Sequence, residues 1–170
     1  MSAVDPEVLG RLFERHAPAL ELYARQWSDS PQDIVQEAFL RLARQDVLPE
    51  NVAAWLFRVV RNQAITFARK THRQKKHETI RTGALAAGFH PHNDRDLDPV
   101  EVARALEALP LVQREIIVAH LWGRLTFDQI AEVTGTSAST AHRYYQAAIL
   151  ELRERLGVGC PSTNRIPIRK

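Results

Sequence analysis

Ser139, Thr140, His142, Arg143 and Gln146 put five hydrogen-bonding side chains within eight residues, interleaved with the apolar positions Ala141, Tyr145, Ala148, Ile149, Leu152 and Leu156. Such a helix buries one face and leaves donors and acceptors on the other. The chemistry available to that set is recognition, not bond-making. No nucleophile–base constellation and no phosphate-cradling glycine loop accompany it.

The elements that must position this face are legible just upstream. Thr126 and Gln129 make a T-x-x-Q helix start, in which each side chain satisfies a free backbone N–H of the first turn. Ile130, Ala131 and Val133 form the buried stripe of a short helix. Gly135 stands where the chain must reverse, a position that often requires positive φ. Ser137 is the expected N-cap of the following helix. A small Ala131 four residues before a turn glycine fits a helix-turn-helix, whose second helix enters the DNA major groove with its N-terminal part. An ordinary helical hairpin in an all-α core uses the same turn and caps, so these residues alone leave both readings open.

Composition narrows the class. Apolar residues make up 45% and charged residues 25% of the 170, as in a globular chain of one domain or two small ones. The net charge of +3 permits a nucleic-acid partner without demanding one. Its distribution says more: Arg58, Arg61, Arg69, Lys70, Arg73, Lys75, Lys76 and Arg81 crowd the middle of the chain, opposed only by Glu78. The single Cys160 excludes an internal disulfide framework. Seven histidines include the His90–His92 pair, but no third ligand stands at supporting spacing, so neither metal nor cofactor is expected. There is no N-terminal apolar segment of signal type and no run of about 18 apolar residues. The expectation is a cytoplasmic protein without membrane insertion.

Helical periodicity runs almost throughout, and strand signals are nearly absent. A first helix spans Pro6 to about Ala24 on Leu9, Leu12, Phe13, Leu20 and Tyr23, with Pro18 as a bend or interruption. Ser30-Pro31 opens a second, with Ser30 as cap and Ile34, Val35, Ala38, Phe39 and Leu42 as its stripe. A third runs from about Asn51 to His72, burying Val52, Trp55, Leu56, Val59, Val60, Ala64 and Phe67. The polar, basic stretch that follows reads as a flexible connection. Asp98-Pro99 restarts helix around Val102, Leu106 and Leu109. A further helix around Val112, Ile116, Ile117 and Leu121 ends near Gly123. The fold class expected is all-α: two small helical bundles, residues 1–71 and 98–156, joined by a flexible linker over 72–97 and followed by a disordered tail, 157–170. The second bundle contains the helix-turn-helix.

At this point DIVQEAFLRL (Asp33 to Leu42) and AWLFRVVRNQAITFARK (Ala54 to Lys70) resemble region 2 of the sigma-70 family of initiation factors. Leu106 to Leu156 resembles region 4. Two such domains with only a linker between them are the layout of the extracytoplasmic-function (ECF) type. The resemblance implies a non-enzymatic factor that binds core RNA polymerase at the β′ clamp and β flap, directs it to a promoter and helps melt the DNA. It implies a polymerase-binding face at Asp33, Gln36, Glu37 and Arg41, on the side of the second helix away from its stripe. Arg58, Arg61, Asn62, Thr66 and Arg69 would then bind phosphates and splayed bases of the melted −10 element. The loop Gln45 to Asn51, with Asp46, Val47, Leu48 and Asn51, corresponds to the family's base-capturing loop. Thr126, Ser137, Ser139, Thr140, His142, Arg143 and Gln146 would read the −35 element, Arg143 first because arginine can be bidentate to guanine. Each of these faces also reads as an ordinary solvated helix surface. An anti-sigma factor is a further partner the family offers.

The chain departs from the family pattern at Thr136, where a branched aliphatic is usual, and at Ala141, where Val is. It departs again at His142-Arg143-Tyr144, in place of Lys-Ser-Arg, and at Ala147, in place of arginine. These changes remove positive charge beside the DNA. Two other classes therefore stay open: a stand-alone helix-turn-helix regulator, and a sigma-like interaction protein with weakened DNA binding.

Overall fold

The computed structural model describes residues 4–74 and 98–157, with seven helices and no strand among them. The basic linker segment from Lys75 onward, His90-Pro91-His92, and the tail beyond Gly157 lie outside the described residues.

Helix α1 (Pro6–Ala24) starts on Asp5, whose carboxylate accepts the Glu7 backbone N–H at 2.8 Å. It runs through Pro18 without interruption. The proline costs one backbone hydrogen bond but sits on the exposed side, opposite Leu20, Tyr23 and Ala24 in the core. Helix α2 (Pro31–Ala43) buries the expected stripe from Ile34 to Leu42. Its cap differs from expectation: Ser30 makes no side-chain capping bond, and the Ser30 N–H instead donates to Ser28 Oγ at 3.1 Å.

Helix α3 (Val52–Gln74) begins under Asn51, whose side-chain oxygen accepts the Ala54 N–H at 2.9 Å. Its burial departs from the sequence reading. Phe67 is exposed, and Trp55 and Val59 are only half-buried, whereas Ala54 and Phe57 are fully enclosed. The reason is that α3 is covered on two sides, by α1 and α2 on one and by α6 on the other.

In the second bundle, Asp98 caps α4 (Pro99–Glu107) by accepting the Val100 N–H at 2.9 Å. Arg114 of α5 (Leu111–Leu121) closes the α4–α5 corner by donating to the Glu107 and Leu109 carbonyls at 2.5 and 2.9 Å. Burial there lowers the pKa of its guanidinium. In α5 the expected apolar Val112 and Leu121 face solvent, while Ile116, Ile117, Val118 and Ala119 are enclosed together with Glu115.

Helices α6 (Phe127–Thr134) and α7 (Ala138–Arg155) form the helix-turn-helix. Thr126 and Gln129 make the full reciprocal capping box, at 2.9 and 3.3 Å. Gly135 adopts φ +75°, and a Cβ added there would meet nothing within 4 Å, so glycine is favoured by backbone conformation and not by crowding. Ala131 is half-buried, while Ile130, Val133, Ala141 and Ala148 form the enclosed seam.

The two bundles do not stand apart. Helix α1 packs on α5 and α3 on α6, and the buried residues of both bundles form one continuous apolar cluster. They come close at Gly123, where an added Cβ would lie 2.5 Å from the Phe57 ring and 2.6 Å from the Ala119 carbonyl oxygen. Among the described residues, no helix is long and apolar enough to cross a membrane.

Candidate nucleic-acid interface

The helix-turn-helix presents its polar side chains as the local sequence dictates. Ser137 Oγ accepts the Thr140 N–H at 3.2 Å, donates to Thr140 Oγ1 at 2.9 Å and lies 3.1 Å from Ser139 Oγ. These three hydroxyls thus form the capping network that opens α7, with spare hydrogen-bonding capacity at its exposed N-terminus. One turn further on, His142, Arg143 and Gln146 are exposed. Arg143 leans over the Tyr144 ring, 5.8 Å from its centroid, which limits the orientations its fork must give up on binding. His142 sets its ring against Phe127 at 4.9 Å, and Phe127 in turn stacks on His120 at 4.5 Å and meets Tyr145. Thr126 uses its oxygen in the capping box but keeps its own O–H to donate.

Thr136, one of the departures from pattern, is also accounted for locally. Its hydroxyl lies 3.0 Å from that of Thr134, which donates to the Ile130 carbonyl at 2.7 Å. A polar pair closes the turn where an aliphatic residue would have closed it by packing.

The basic face of α3 is divided. Asn62 and Thr66, with Lys70, turn toward α2 and line an open groove of about 590 Å³ together with Asp33, Glu37, Arg41 and Phe67. Arg69 is exposed. Arg58 and Arg61 turn the other way, onto the second bundle. Arg58 pairs with Glu132 of α6 at 3.6 Å, both side chains about half exposed or more.

Arg61 is engaged more deeply: its Nε donates to Glu115 Oε1 in α5, and the Tyr23 hydroxyl donates to the same oxygen at 2.6 Å. Glu115 is only 3% exposed, so it is a buried carboxylate held by one cation and one phenol. Burial, then the charge and hydrogen bond of Glu115, push the Tyr23 phenol well above its ordinary range. Burial works against the charge of Arg61, but the hydrogen bond and charge of Glu115 outweigh it and the guanidinium is held more firmly protonated. The Tyr23 ring meets Phe57 edge-on at 4.8 Å. Sequence reasoning placed Arg61 and Thr66 on one face and missed Glu115, which lies among aliphatic residues of α5.

On α2, Asp33 and Gln36 are exposed and flank Leu40, an apolar side chain 52% exposed. Arg41 is tied back to Glu37 by a hydrogen bond of 3.1 Å. In the 44–51 loop Val47 is 80% exposed, whereas Asn51 is committed to capping α3. No group of three or more metal-ligating side chains lies together among the described residues.

Among the described residues the chain is all helical, and a capped helix-turn-helix beside a basic helix is the architecture of a DNA-binding protein. Family comparison agrees on both halves: residues 12–74 match sigma-70 region 2, and residues 100–152 match sigma-70 region 4. The chain is 30% identical over 124 residues to the RNA polymerase sigma factor SigV of Bacillus subtilis, covering 70% of this chain and 72% of the relative. It is 26% identical over 167 residues to the ECF sigma factor RpoE of Cereibacter sphaeroides, covering 89% and 88%. Among solved structures, the sigma factor RpoE of Bartonella quintana, in complex with the anti-sigma factor NepR, matches with a TM-score of 0.73 and 26% identity. That match covers 91% of this chain and 99% of the other. The protein belongs to the sigma-70 family, as an RNA polymerase sigma factor of the ECF type that directs promoter-specific transcription.

Proposed function

We propose that the two bundles divide promoter recognition between them, the second reading duplex DNA at the −35 element and the first capturing the opened −10 segment. The observation that carries this is the free polar face of α7: Arg143 and Gln146 stand exposed one turn beyond a capped N-terminus, the place from which a recognition helix reaches base edges. Ser137, Ser139, Thr140 and Thr126 supply hydroxyls toward phosphates, and His142 borders the same face. In the first bundle Arg58, Arg61, Asn62, Thr66 and Arg69 provide the cations and amide for single-stranded backbone and bases.

Polymerase docks, on this reading, on the outer face of α2. An exposed Leu40 framed by Asp33, Gln36 and Glu37 is an apolar centre within a polar rim, which suits a partner that must later be released. The chain supplies recognition and the polymerase supplies catalysis, so the protein is not itself an enzyme. It works in the cytoplasm, where core polymerase and DNA are. A small anti-sigma protein is a further expected partner, by analogy with the NepR complex.

The test is sequencing of transcripts initiated by core polymerase plus this protein on genomic DNA. The expected result is start sites sharing one −10 and one −35 sequence. Starts no different from those of core polymerase alone would overturn the assignment.

A further inference from the structure

We infer that Arg124, in the corner between α5 and α6, is a phosphate anchor for duplex DNA; this rests on the proposed entry of α7 into the −35 duplex. Arg124 is the one residue other than glycine with positive φ among the described residues, at +55°. That conformation crowds the Cβ of an L residue against its own backbone, so it persists only where flanking contacts impose it. Here they do. The Gly123 N–H donates to the Val118 carbonyl and the Leu125 N–H to the Ala119 carbonyl, both at 3.1 Å. Leu125 is enclosed in the core, and its carbonyl accepts from His120 Nδ1 at 2.8 Å. The chain is thus fixed on both sides of residue 124, where glycine would sit without strain. Arginine stands there instead, exposed, and no ion pair or hydrogen bond engages its guanidinium among the described residues.

Charge and placement say what such a cation is for. From Phe127 through Ala147, α6 and the exposed start of α7 carry one arginine, Arg143, and no lysine, against Asp128 and Glu132. Duplex DNA is held largely by neutralising its phosphates, so positive charge has to come from a neighbouring segment. The nearest in the chain is Arg124. In a helix-turn-helix the second helix lies in the major groove while the first crosses the backbone, and Arg124 leads directly into α6. Phe127, in the first turn of α6, meets the ring of His142 on the reading face, with centroids 4.9 Å apart. Three residues of chain span at most about 11 Å, and the major groove is about 12 Å wide. Arg124 therefore stands within side-chain reach of a phosphate beside the groove that α7 enters. His120, stacked on Phe127 at 4.5 Å and bonded to the Leu125 carbonyl, ties corner and helix into one piece. The strained corner thereby holds the cation at a fixed place relative to Arg143 and Gln146.

Holoenzyme assembled from core polymerase and the full chain, titrated with a fluorescein-labelled duplex carrying the −35 element of a promoter it initiates from, decides the matter. One phosphate contact contributes about 0.9 to the slope of log affinity against log salt, or about eightfold between 1 M and 0.1 M salt. Arg124→Gln is expected to flatten the slope by about 0.9 and to weaken binding about eightfold at 0.1 M salt. The loss should be the same on a duplex with one −35 base pair substituted, because phosphates carry no sequence. Arg124→Lys keeps the charge and should stay within about twofold of the unmutated protein. Arg124→Gly should bind as weakly as Arg124→Gln while the urea midpoint of the free chain rises, since strain is relieved as charge is lost. An unchanged salt slope in Arg124→Gln, a loss that depends on the −35 sequence, or a lowered urea midpoint in Arg124→Gly would each overturn the anchor. If the anchor fails while Arg143→Ala still relaxes −35 discrimination, the reading of α7 stands alone. If Arg143→Ala leaves discrimination intact as well, both are overturned.

Discussion

Helices α3 and α7 carry the two sets of polar side chains proposed to meet DNA, yet the rest of the molecule treats them differently. On α7 Arg143 and Gln146 are exposed, and the hydroxyls at its start bond to one another and to their own turn. On α3 two of the five candidate residues are engaged by acidic partners on the opposite bundle. The proposed duplex-reading surface is thus assembled within the second bundle, from the caps of α6 and α7 and the packing of His142 on Phe127. The proposed strand-capturing surface depends in addition on how the two halves of the chain are arranged.

Breaking the α3 side of this comparison should produce the larger effect. Glu115→Ala leaves the Arg61 guanidinium and the Tyr23 hydroxyl facing a space that no longer accepts from either. Removing one partner of an enclosed ion pair costs about 3 kcal/mol or more. Arg61 retains some contact with water, which sets the expectation at the low end of that range. Urea unfolding followed by circular dichroism checks it, and a midpoint unchanged from the unmutated protein would show that the pair is not coupled to folding.

On the α7 side the corresponding change is smaller. Thr126→Ala removes one half of the capping box and should cost about 1 kcal/mol, read as a lowered urea midpoint. Because the box is local to α6, the single-stranded oligonucleotide affinity should stay within about twofold of its original value, since an effect without free-energy coupling shifts no equilibrium. A large gain in that affinity on Thr126→Ala would show that the second bundle senses the first through the turn, contrary to the contrast drawn above.

The same contrast explains what was legible in the sequence. The Thr126–Gln129 box, the Asp98 and Ser137 caps and the left-handed Gly135 depend on neighbours within three residues, so local patterning finds them. The α2 stripe and its exposed face follow from a single helical period. Glu115 was invisible because its partners lie 92 and 54 positions away in the chain, at Tyr23 and Arg61. Phe57 was missed for a related reason: a helix covered on two sides has no single apolar stripe. A one-period reading therefore kept Phe67, which is exposed, and passed over Phe57. At Ser30 the side chain makes no capping bond, and its own N–H is taken by Ser28 Oγ two residues earlier. A signal was available in Gly123, a glycine ending a helix without positive φ, which marks a close approach and not a turn.

Reconstituted initiation on one cognate promoter, with duplex occupancy and strand opening read separately, tests the two-surface account most directly. The account predicts that Arg143→Ala relaxes discrimination among −35 sequences, by about 1–3 kcal/mol at the contacted base pair. Arg61→Ala is predicted to leave duplex occupancy nearly intact while strand opening falls. Equal loss of both readouts in both variants, or no loss in either, would contradict the division of labour between α7 and α3.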